Sequence, residues 1–494
     1  MEMGFDNKIK GNTSNLMDKL KKDTLQYAPA IIIPALLNVI SVILYTRVFN
    51  PDEYGTYTLI ISTSLVISSV FSQWIMQSIQ RFRPSYITEN RLEEFNTNLN
   101  SLIIFVSLLV FSLSLIFYVS LHTVLNISNT IYWSSCLLIW VQILFNIGLV
   151  VFQSDLKANT YRTYQLINGV GKFLFSLFII FLLYKNIISI VWATSISMLI
   201  IIYPIYRNSG LLFVRSRKSD YKKDFINFLN KMFSYGFPMI GWFLGNSILG
   251  LSDRYILKMF RGSQEVGIYS ANYSLVSMGL GLICGPLLTA AHPVIMNYAN
   301  NGNKEDVQKT ITNFSKLFLS ITIPLSFYIS FNRSFIVEIL LGSKFQEGSI
   351  IVPITLVGIF IWNFAMYGHK GHEITGKTKT MMLYVFLSVI INITLNLLLI
   401  PRYGYIGAAV GTLLANASYP ILIYYSSSRT IKWIIPWNYL FSIFFYCIVA
   451  TLITSLFIYL IEMIFIIPII LKLIISAIIG SYIYILLIKR KKGK

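Results

Sequence analysis

Residues 95–154 read FNTNLNSLIIFVSLLVFSLSLIFYVSLHTVLNISNTIYWSSCLLIWVQILFNIGLVVFQS and hold no Asp, Glu, Lys or Arg. A helix needs about 20 mostly apolar residues to cross a bilayer core. The stretch therefore predicts two spanning helices, near 99–121 and 131–153, with Asn126-Ile-Ser-Asn129 as the turn between them. Extended outward along the chain, the same criterion predicts about fourteen transmembrane helices. The fold class is all-α integral membrane.

Composition supports that class. The chain has 494 residues, 55% hydrophobic and 12% charged, where soluble proteins carry roughly a quarter charged residues. The mean hydropathy is +0.66. Too few charges exist to cover a water-exposed surface of this size, so lipid must solvate much of it. Cys136, Cys284 and Cys447 lie far apart in apolar runs, which excludes a disulfide framework or zinc spacing. The first 26 residues lack the apolar run and cleavage site of a secretory signal. Leu16, Met17 and Leu20 share one helical face there, which predicts a cytoplasmic amphipathic segment over 1–26.

Lysine and arginine set the orientation. With the N-terminus inside, inside segments hold 29 Lys and Arg and outside segments hold 8; Lys172, Lys316 and Lys472 fall within spans. This bias predicts an even number of spans with both termini cytoplasmic. The net charge of +20 then reads as inner-leaflet anchoring and needs no nucleic acid. Anionic phospholipids are the expected partner of Lys489-Arg490-Lys491-Lys492.

The chain also repeats itself. Glu53-Tyr-Gly55-Thr-Tyr57 matches Glu265-Val-Gly267-Ile-Tyr269 at an offset of 212 residues, and Ser62 matches Ser274 at the same offset. Six spans separate the two copies, so the halves are expected to run parallel about an axis along the membrane normal, an arrangement typical of transporters. The predicted organisation is two pseudo-symmetric six-helix lobes, an N-lobe over 27–206 and a C-lobe over 233–425. A basic cytoplasmic linker over 207–232 joins them. Two further helices occupy 426–487, and a basic cytoplasmic tail occupies 488–494.

Three stretches carry a resemblance to a known family. They are Thr46-Arg47-Val-Phe-Asn-Pro51-Asp-Glu53-Tyr54-Gly55-Thr-Tyr57, then Ser252-Asp253-Arg254-Tyr255 running into Val266-Gly267-Ile268-Tyr269-Ser-Ala271, then Asn392-Ile-Thr-Leu-Asn396 running into Pro401-Arg-Tyr-Gly404-Tyr-Ile-Gly407-Ala408-Ala409. In this order they resemble the polysaccharide (O-antigen, lipid-linked oligosaccharide) flippase family. That family sits in the MATE-like multidrug/oligosaccharidyl-lipid/polysaccharide exporter superfamily. The resemblance implies a bacterial cytoplasmic (inner) membrane flippase with its lobes in a V. It would move an undecaprenyl-pyrophosphate-linked oligosaccharide, such as an O-antigen (lipopolysaccharide) or capsule/exopolysaccharide repeat unit, by alternating access. Its partners would be the lipid-linked oligosaccharide and other polysaccharide-assembly membrane proteins. Nothing in the sequence marks one particular sugar.

Two other functions compete. A drug or metabolite exporter of the same architecture would favour acidic residues in mid-helix, and no Asp or Glu lies in the middle of any lobe helix. A membrane enzyme of polysaccharide assembly would need a large outside loop with a catalytic set, whereas the outside loops are short. No enzyme activity and no cofactor are expected. The coupling ion, H+ or Na+, is left open.

Gly371-His-Glu-Ile-Thr-Gly376-Lys377-Thr378 matches the P-loop expression, but a P-loop needs a preceding strand and a following soluble helix. A basic cytoplasmic turn is expected here instead, without nucleotide. His369 and His372 lack the neighbours of a metal site. Charges inside the membrane are costly and generally face a partner or a wet cavity. Lys172 in helix 5 and Lys316 in helix 9 are thus candidates for the substrate path, whereas Lys472 is expected to snorkel or pair. Asn38 and Asn246 occupy comparable depths in helices 1 and 7, suited to sugar hydroxyls or to helix contacts. Asp253-Arg254 closes helix 7, where a gate salt bridge and a plain interfacial pair compete, and Arg47 is counted with them among the substrate-path candidates. Arg81 and Arg83 end helix 2 at the inside face. Arginine matches phosphate bidentately, so they are candidates for capturing the lipid pyrophosphate, against simple anchoring.

Overall fold

The computed structural model describes residues 29, 32–125, 127–183, 186–212, 221–300, 304–427, 431–463 and 468–492. The expected amphipathic segment 1–26 and residues 213–220 of the expected linker lie outside the described residues. All regular structure among the described residues is helical. The helices are α1 (Ile32–Val48), α2 (Pro51–Thr88), α3 (Leu92–Leu125), α4 (Asn129–Ser154), α5 (Ala158–Phe178), α6 (Ile187–Asn208), α7 (Tyr221–Leu249), α8 (Ser252–Arg261) and α9 (Ser263–Asn300). They continue as α10 (Lys304–Phe331), α11 (Arg333–Leu341), α12 (Ile351–Gly368), α13 (Lys370–Ile374), α14 (Thr378–Ser427), α15 (Trp437–Glu462) and α16 (Ile469–Lys492). Among the described residues eleven helices are long and apolar enough to cross a membrane, and α1 is a shorter apolar helix. The protein is therefore a multi-pass helical membrane protein.

Local sequence explains the element ends. Asn50 and Glu53 form a reciprocal cap on α2: the Glu53 amide donates to Asn50 Oδ1 at 2.9 Å, and the Asn50 amide donates to Glu53 Oε2 at 3.0 Å. Pro51 at the first helical position completes the signal. The turn expected at 126–129 separates α3 from α4, with the Ser128 hydroxyl accepting the Ile131 amide. Separate spans are expected at 380–400 and 405–425, whereas one helix, α14, runs through both. Its 50 residues would extend about 75 Å if straight, over twice the bilayer core. Gly404 breaks it, with φ 54° and ψ −136°, a conformation that only glycine adopts readily. The segments 253–266 and 333–348, expected as outside loops, also contain regular structure, as α8 and as α11 with a 3-10 turn at Ser343–Ile350.

Contacts divide the chain into two compact units. The first comprises the described residues up to Ser41 together with Leu59–Leu244. α4 is its central helix: fifteen of its 26 residues are buried, as expected for a helix apolar all round. Ile75, Leu99, Val141, Ile147 and Ile205 form part of the core. Polar pairs join helices inside it. The Ser68 hydroxyl bonds Gln142 Oε1 at 3.0 Å, the Tyr206 hydroxyl bonds the Leu144 carbonyl at 3.1 Å, and the Ser78 hydroxyl bonds the Met232 carbonyl at 2.7 Å.

The second unit comprises Val42–Thr58 and Gly245–Lys494. α9, α10, α12 and α14 form its centre, with α8 against α14. The α15–α16 hairpin is pinned to α10. The Tyr328 hydroxyl donates to the Leu473 carbonyl at 2.8 Å, and the Tyr484 hydroxyl donates to the Ser320 carbonyl at 2.9 Å. Residues 42–58 pack on the outer elements of this unit. Tyr54 meets Phe345 edge to face at 5.8 Å, and Gly55 meets Gly267.

Candidate functional site

In the first unit, α5 is two-faced. Ile167, Val170, Leu174 and Phe178 are exposed along one side. Gln165, Asn168, Lys172 and Ser176 recur at helical spacing on the opposite side. Glycines let neighbours approach there, as is usual in membranes. A Cβ on Gly169 would sit 3.0 Å from Pro34 of α1, and one on Gly171 would sit 2.6 Å from Ser197 Oγ of α6. Asn168 and Ser176 are buried, and Asn168 Oδ1 and Ser176 Oγ have no hydrogen-bond partner among the described residues. Lys172 lies between them, partly buried. An unpartnered buried polar group costs about 1–3 kcal/mol. A stripe of three polar side chains around an ammonium, two of them orphaned, is thus poor architecture for stability alone. It is suited to hydroxyls and anionic oxygens of a ligand.

In the second unit, Asp253 is 1% exposed and anchors a polar network. Its Oδ1 accepts the Arg254 amide at 2.7 Å, and its Oδ2 accepts the Tyr269 hydroxyl and, at 3.5 Å, the Thr412 hydroxyl. Asn392 Nδ2 donates to Thr412 Oγ1 at 3.3 Å. Asn392 Oδ1 accepts from Ser252 Oγ at 2.7 Å and from Asn396 Nδ2 at 3.0 Å. Asn396 Oδ1 is buried without a partner among the described residues, beside Gly411, where any Cβ would crowd it. The network offers a carboxylate and several neutral oxygens. That donor set suits a hard cation, because hard cations prefer oxygen ligands, and the carboxylate can alternatively take a proton. Among the described residues no group of three or more His, Cys, Asp or Glu is arranged to hold a metal.

The remaining residues singled out from sequence are placed as follows. Asn38 is exposed on α1 and Asn246 is partly buried on α7. Arg47 is exposed, and its guanidinium donates to the Ile339 carbonyl of α11. Arg254 stands 6.0 Å over the Tyr273 ring. Lys316 turns toward α15, with its ammonium 5.9 Å from the Tyr439 ring, so its visible partner is the appended hairpin. Lys472 pairs with Glu462 at 2.7 Å. Arg81 is exposed.

Arg83 departs from its expected role. It is 1% exposed and grips Asp155 through Nε at 2.6 Å and Nη2 at 3.2 Å, while Nη1 donates to Asn96 at 2.6 Å. The guanidinium is therefore consumed in a brace joining the end of α2, the start of α3 and the α4–α5 turn. It is unavailable to a pyrophosphate, and of the two arginines only Arg81 remains accessible. Asp155 gave no sequence signal as its partner because the two lie 72 positions apart.

The P-loop-like segment forms α13 and a turn at Gly376 with φ 70°, and no strand exists among the described residues to build a nucleotide fold. Asn168, Ser176, Tyr269 and Thr412 were not picked out from sequence. Asp253 was picked out from sequence, and the i, i+4 spacing of Asn392 and Asn396 inside an apolar helix was a further signal for the second network. A groove of about 390 Å³ also lies between α10 and the α15–α16 hairpin. Its Thr451, Thr454, Ser455 and Ser476 hydroxyls bond their own helix backbones, so the groove presents apolar surface.

The fold and sequence have counterparts. A family model described as "Polysaccharide biosynthesis protein" matches residues 20–299, and the MatE model matches 238–398. A "Putative O-antigen transporter" of Shigella flexneri is 22% identical over 76% of this chain and 90% of its own. A "Probable low-salt glycan biosynthesis flippase" of Haloferax volcanii is 22% identical over 43% of this chain and 45% of its own. Among solved structures, lipid II flippase MurJ in an inward closed conformation superposes with a TM-score of 0.73 at 17% identity, covering 95% of this chain and all of that one. An inward-facing MATE family transporter gives 0.66 at 14% identity, covering 82% and 97%. Because the first model spans more than half of the 494 residues, the chain belongs to the polysaccharide biosynthesis protein family, within the multidrug/oligosaccharidyl-lipid/polysaccharide exporter superfamily.

Proposed function

We propose that this protein is a flippase that carries an undecaprenyl-pyrophosphate-linked oligosaccharide across the cytoplasmic membrane by alternating access, with both termini in the cytoplasm. The observation that carries the proposal is the polar stripe of α5, where Lys172 and the orphaned Asn168 and Ser176 lie opposite an apolar exposed face. An ammonium among neutral donors and acceptors suits a substrate with an anionic phosphate and many hydroxyls. The names of the Shigella and Haloferax relatives support the substrate class. The groove between α10 and the α15–α16 hairpin suits the isoprenoid tail, since its hydroxyls are already satisfied and leave apolar surface for a chain. Arg81 is the accessible guanidinium for the pyrophosphate. The repeat motifs support reading 27–206 and 233–425 as the two lobes.

The Asp253 network is the proposed coupling site. Its oxygens would hold a monovalent cation or a proton, supplying positive charge that neutralises the buried carboxylate. No catalytic set is proposed. A second possibility, export of a drug or metabolite, draws support from the MatE match over 238–398 and from that same buried carboxylate.

Reconstituted protein and a fluorescent lipid-linked oligosaccharide test the proposal, with accessibility to an outer-leaflet quencher as readout. Wild-type protein is expected to expose the lipid in the opposite leaflet, and Lys172→Ala to do so at least tenfold more slowly. No translocation by wild-type protein, with or without an ion gradient, would refute the flippase. An unchanged Lys172→Ala rate would remove Lys172 from it.

A further inference from the structure

The chain has four histidines, and three of them meet at one place in the second unit. His292 comes from α9. His369 and His372 flank Lys370 at the α12–α13 junction, and Glu373 completes the cluster. Lys370 Nζ lies 2.6 Å from Glu373 Oε2 and 2.9 Å from His292 Nδ1. His292 Nδ1 lies 3.6 Å from Glu373 Oε1, and His369 Nε2 lies 3.9 Å from Glu373 Oε2. The deeper histidines are tied to α14, His369 through the Tyr419 hydroxyl at 3.1 Å and His372 through the Ser426 hydroxyl at 2.9 Å. Lys377 is the next cation beyond His372.

Exposure separates the three rings. His369 and His372 are 6% and 1% exposed. The His292 side chain is 44% exposed, about two helical turns before the end of α9 at Asn300. Its tautomer follows from its partner. An ammonium has three N–H groups and no lone pair. The Lys370 contact at 2.9 Å therefore requires a lone pair on His292 Nδ1, with the ring neutral and its hydrogen on Nε2.

We propose that His292 is a proton-binding site whose occupation exchanges its Lys370 contact for an ion pair with Glu373. One proton from water adds to Nδ1, and the cluster passes from one positive and one negative charge to two positive and one negative. Nδ1–H then faces the ammonium, so two cations repel across a distance that held a hydrogen bond. Glu373 Oε1 is the nearest acceptor for the new N–H. Lys370, already bonded to Oε2, must shift along the carboxylate or leave it. His292 is the sole member of the cluster from α9, so this proton changes how α9 is fastened to the α12–α13 junction. The segment that matches a P-loop by spelling thus supplies a proton-sensitive latch instead. Imidazole is the side chain that changes charge in the range of about pH 5–8, where a cell membrane transporter works.

The test needs no substrate, so its failure is distinct from failure of the flippase assignment. Spin labels on Tyr298→Cys in α9 and Lys379→Cys at the start of α14, in full-length protein in lipid nanodiscs, report the distance from α9 to the junction. Between about pH 8 and pH 5 the wild-type background is expected to show a one-proton transition in that distance. His292→Gln keeps a polar side chain at a half-exposed position but takes up no proton, and it is expected to abolish the transition. Lys370→Met removes the opposing cation and should move the midpoint up by about one pH unit. Glu373→Gln removes the attracting anion and should move it down by about as much. A distance independent of pH in the wild-type background, or a transition that survives in His292→Gln, would overturn the proposal. Midpoints displaced in the reverse order would overturn the assigned partners.

Discussion

Gly55 and Gly267 meet backbone to backbone in a reciprocal contact. A Cβ on Gly55 would overlap the Ser263 carbonyl oxygen and stand 2.8 Å from the Gly267 nitrogen. A Cβ on Gly267 would overlap the Pro51 carbonyl oxygen and stand 3.0 Å from the Gly55 nitrogen. Pro51 and Ser263, like Gly55 and Gly267, are 212 positions apart. The two copies of the repeat therefore touch through the same atoms in both directions, which is the signature of a two-fold relation.

This contact predicts non-additive mutants. Gly55→Val and Gly267→Val each force the same two backbones apart, at about 1–3 kcal/mol apiece as for other overpacked contacts. The double variant should cost clearly less than the sum, because the second change finds the contact already broken. Thermal unfolding of the four proteins in one detergent measures the coupling. Strict additivity would mean that the two glycines do not share one contact.

Arg83 and Asp155 form a second long-range pair, both nearly excluded from solvent. Asp155→Asn should destabilise by about 3–5 kcal/mol, since it leaves the buried Arg83 charge uncompensated, and Arg83→Met by less, since Lys157 stands 3.7 Å from Asp155. The double variant Arg83→Met with Asp155→Leu should recover much of that loss. Arg81→Ala should leave stability within about 0.5 kcal/mol of wild type, as an exposed side chain does, while weakening binding of pyrophosphate-bearing lipid. Unfolding midpoints and lipid binding on the same samples separate the two arginines.

Lys172 is expected to show opposite effects on stability and function. Lys172→Met relieves an ammonium that has no partner among the described residues, so the unfolding temperature should hold or rise. Translocation should fall in the same protein. Lys172→Arg keeps the positive charge and should retain more activity than Lys172→Met. A Lys172→Met protein that is both less stable and fully active would contradict the ligand-facing assignment.

Asp253→Asn tests the second network. The substitution preserves shape but turns one accepting oxygen into an NH2 donor and removes the charge that would attract a cation. Translocation driven by an imposed ion or proton gradient should lose its dependence on that gradient, with the folded protein retained. Tyr269→Phe leaves the carboxylate one donor short and should destabilise by about 1–3 kcal/mol. A gradient response preserved in Asp253→Asn would move the coupling site elsewhere.

Much of the fold was legible along the chain because lipid imposes local rules. Apolar runs of sufficient length must become helices, whose backbone groups are then satisfied internally. Residues 95–154 accordingly announced two spans, and α3 and α4 follow. Glu53-x-Gly55 and Glu265-x-Gly267 announced the repeat.

Side-chain partners were not legible, because they depend on which helices become neighbours. Arg81 and Arg83 look alike in sequence. Only Asp155 and Asn96, carried to the spot by other helices, buried one and left the other free. Lys172 and Lys316 were both lysines within spans, yet Lys316 faces Tyr439 of α15 while Lys172 lies on a stripe of orphaned polar groups. His292 gave no signal at all until α9 brought it beside Lys370 and Glu373. Sequence by itself determined the membrane class and indicated most of the long helices and the internal repeat, since each follows from local hydrophobicity and spacing. Tertiary structure alone decided which charges are satisfied and which remain for a ligand, because pairing energies arise only when residues distant in the chain come within a few ångströms.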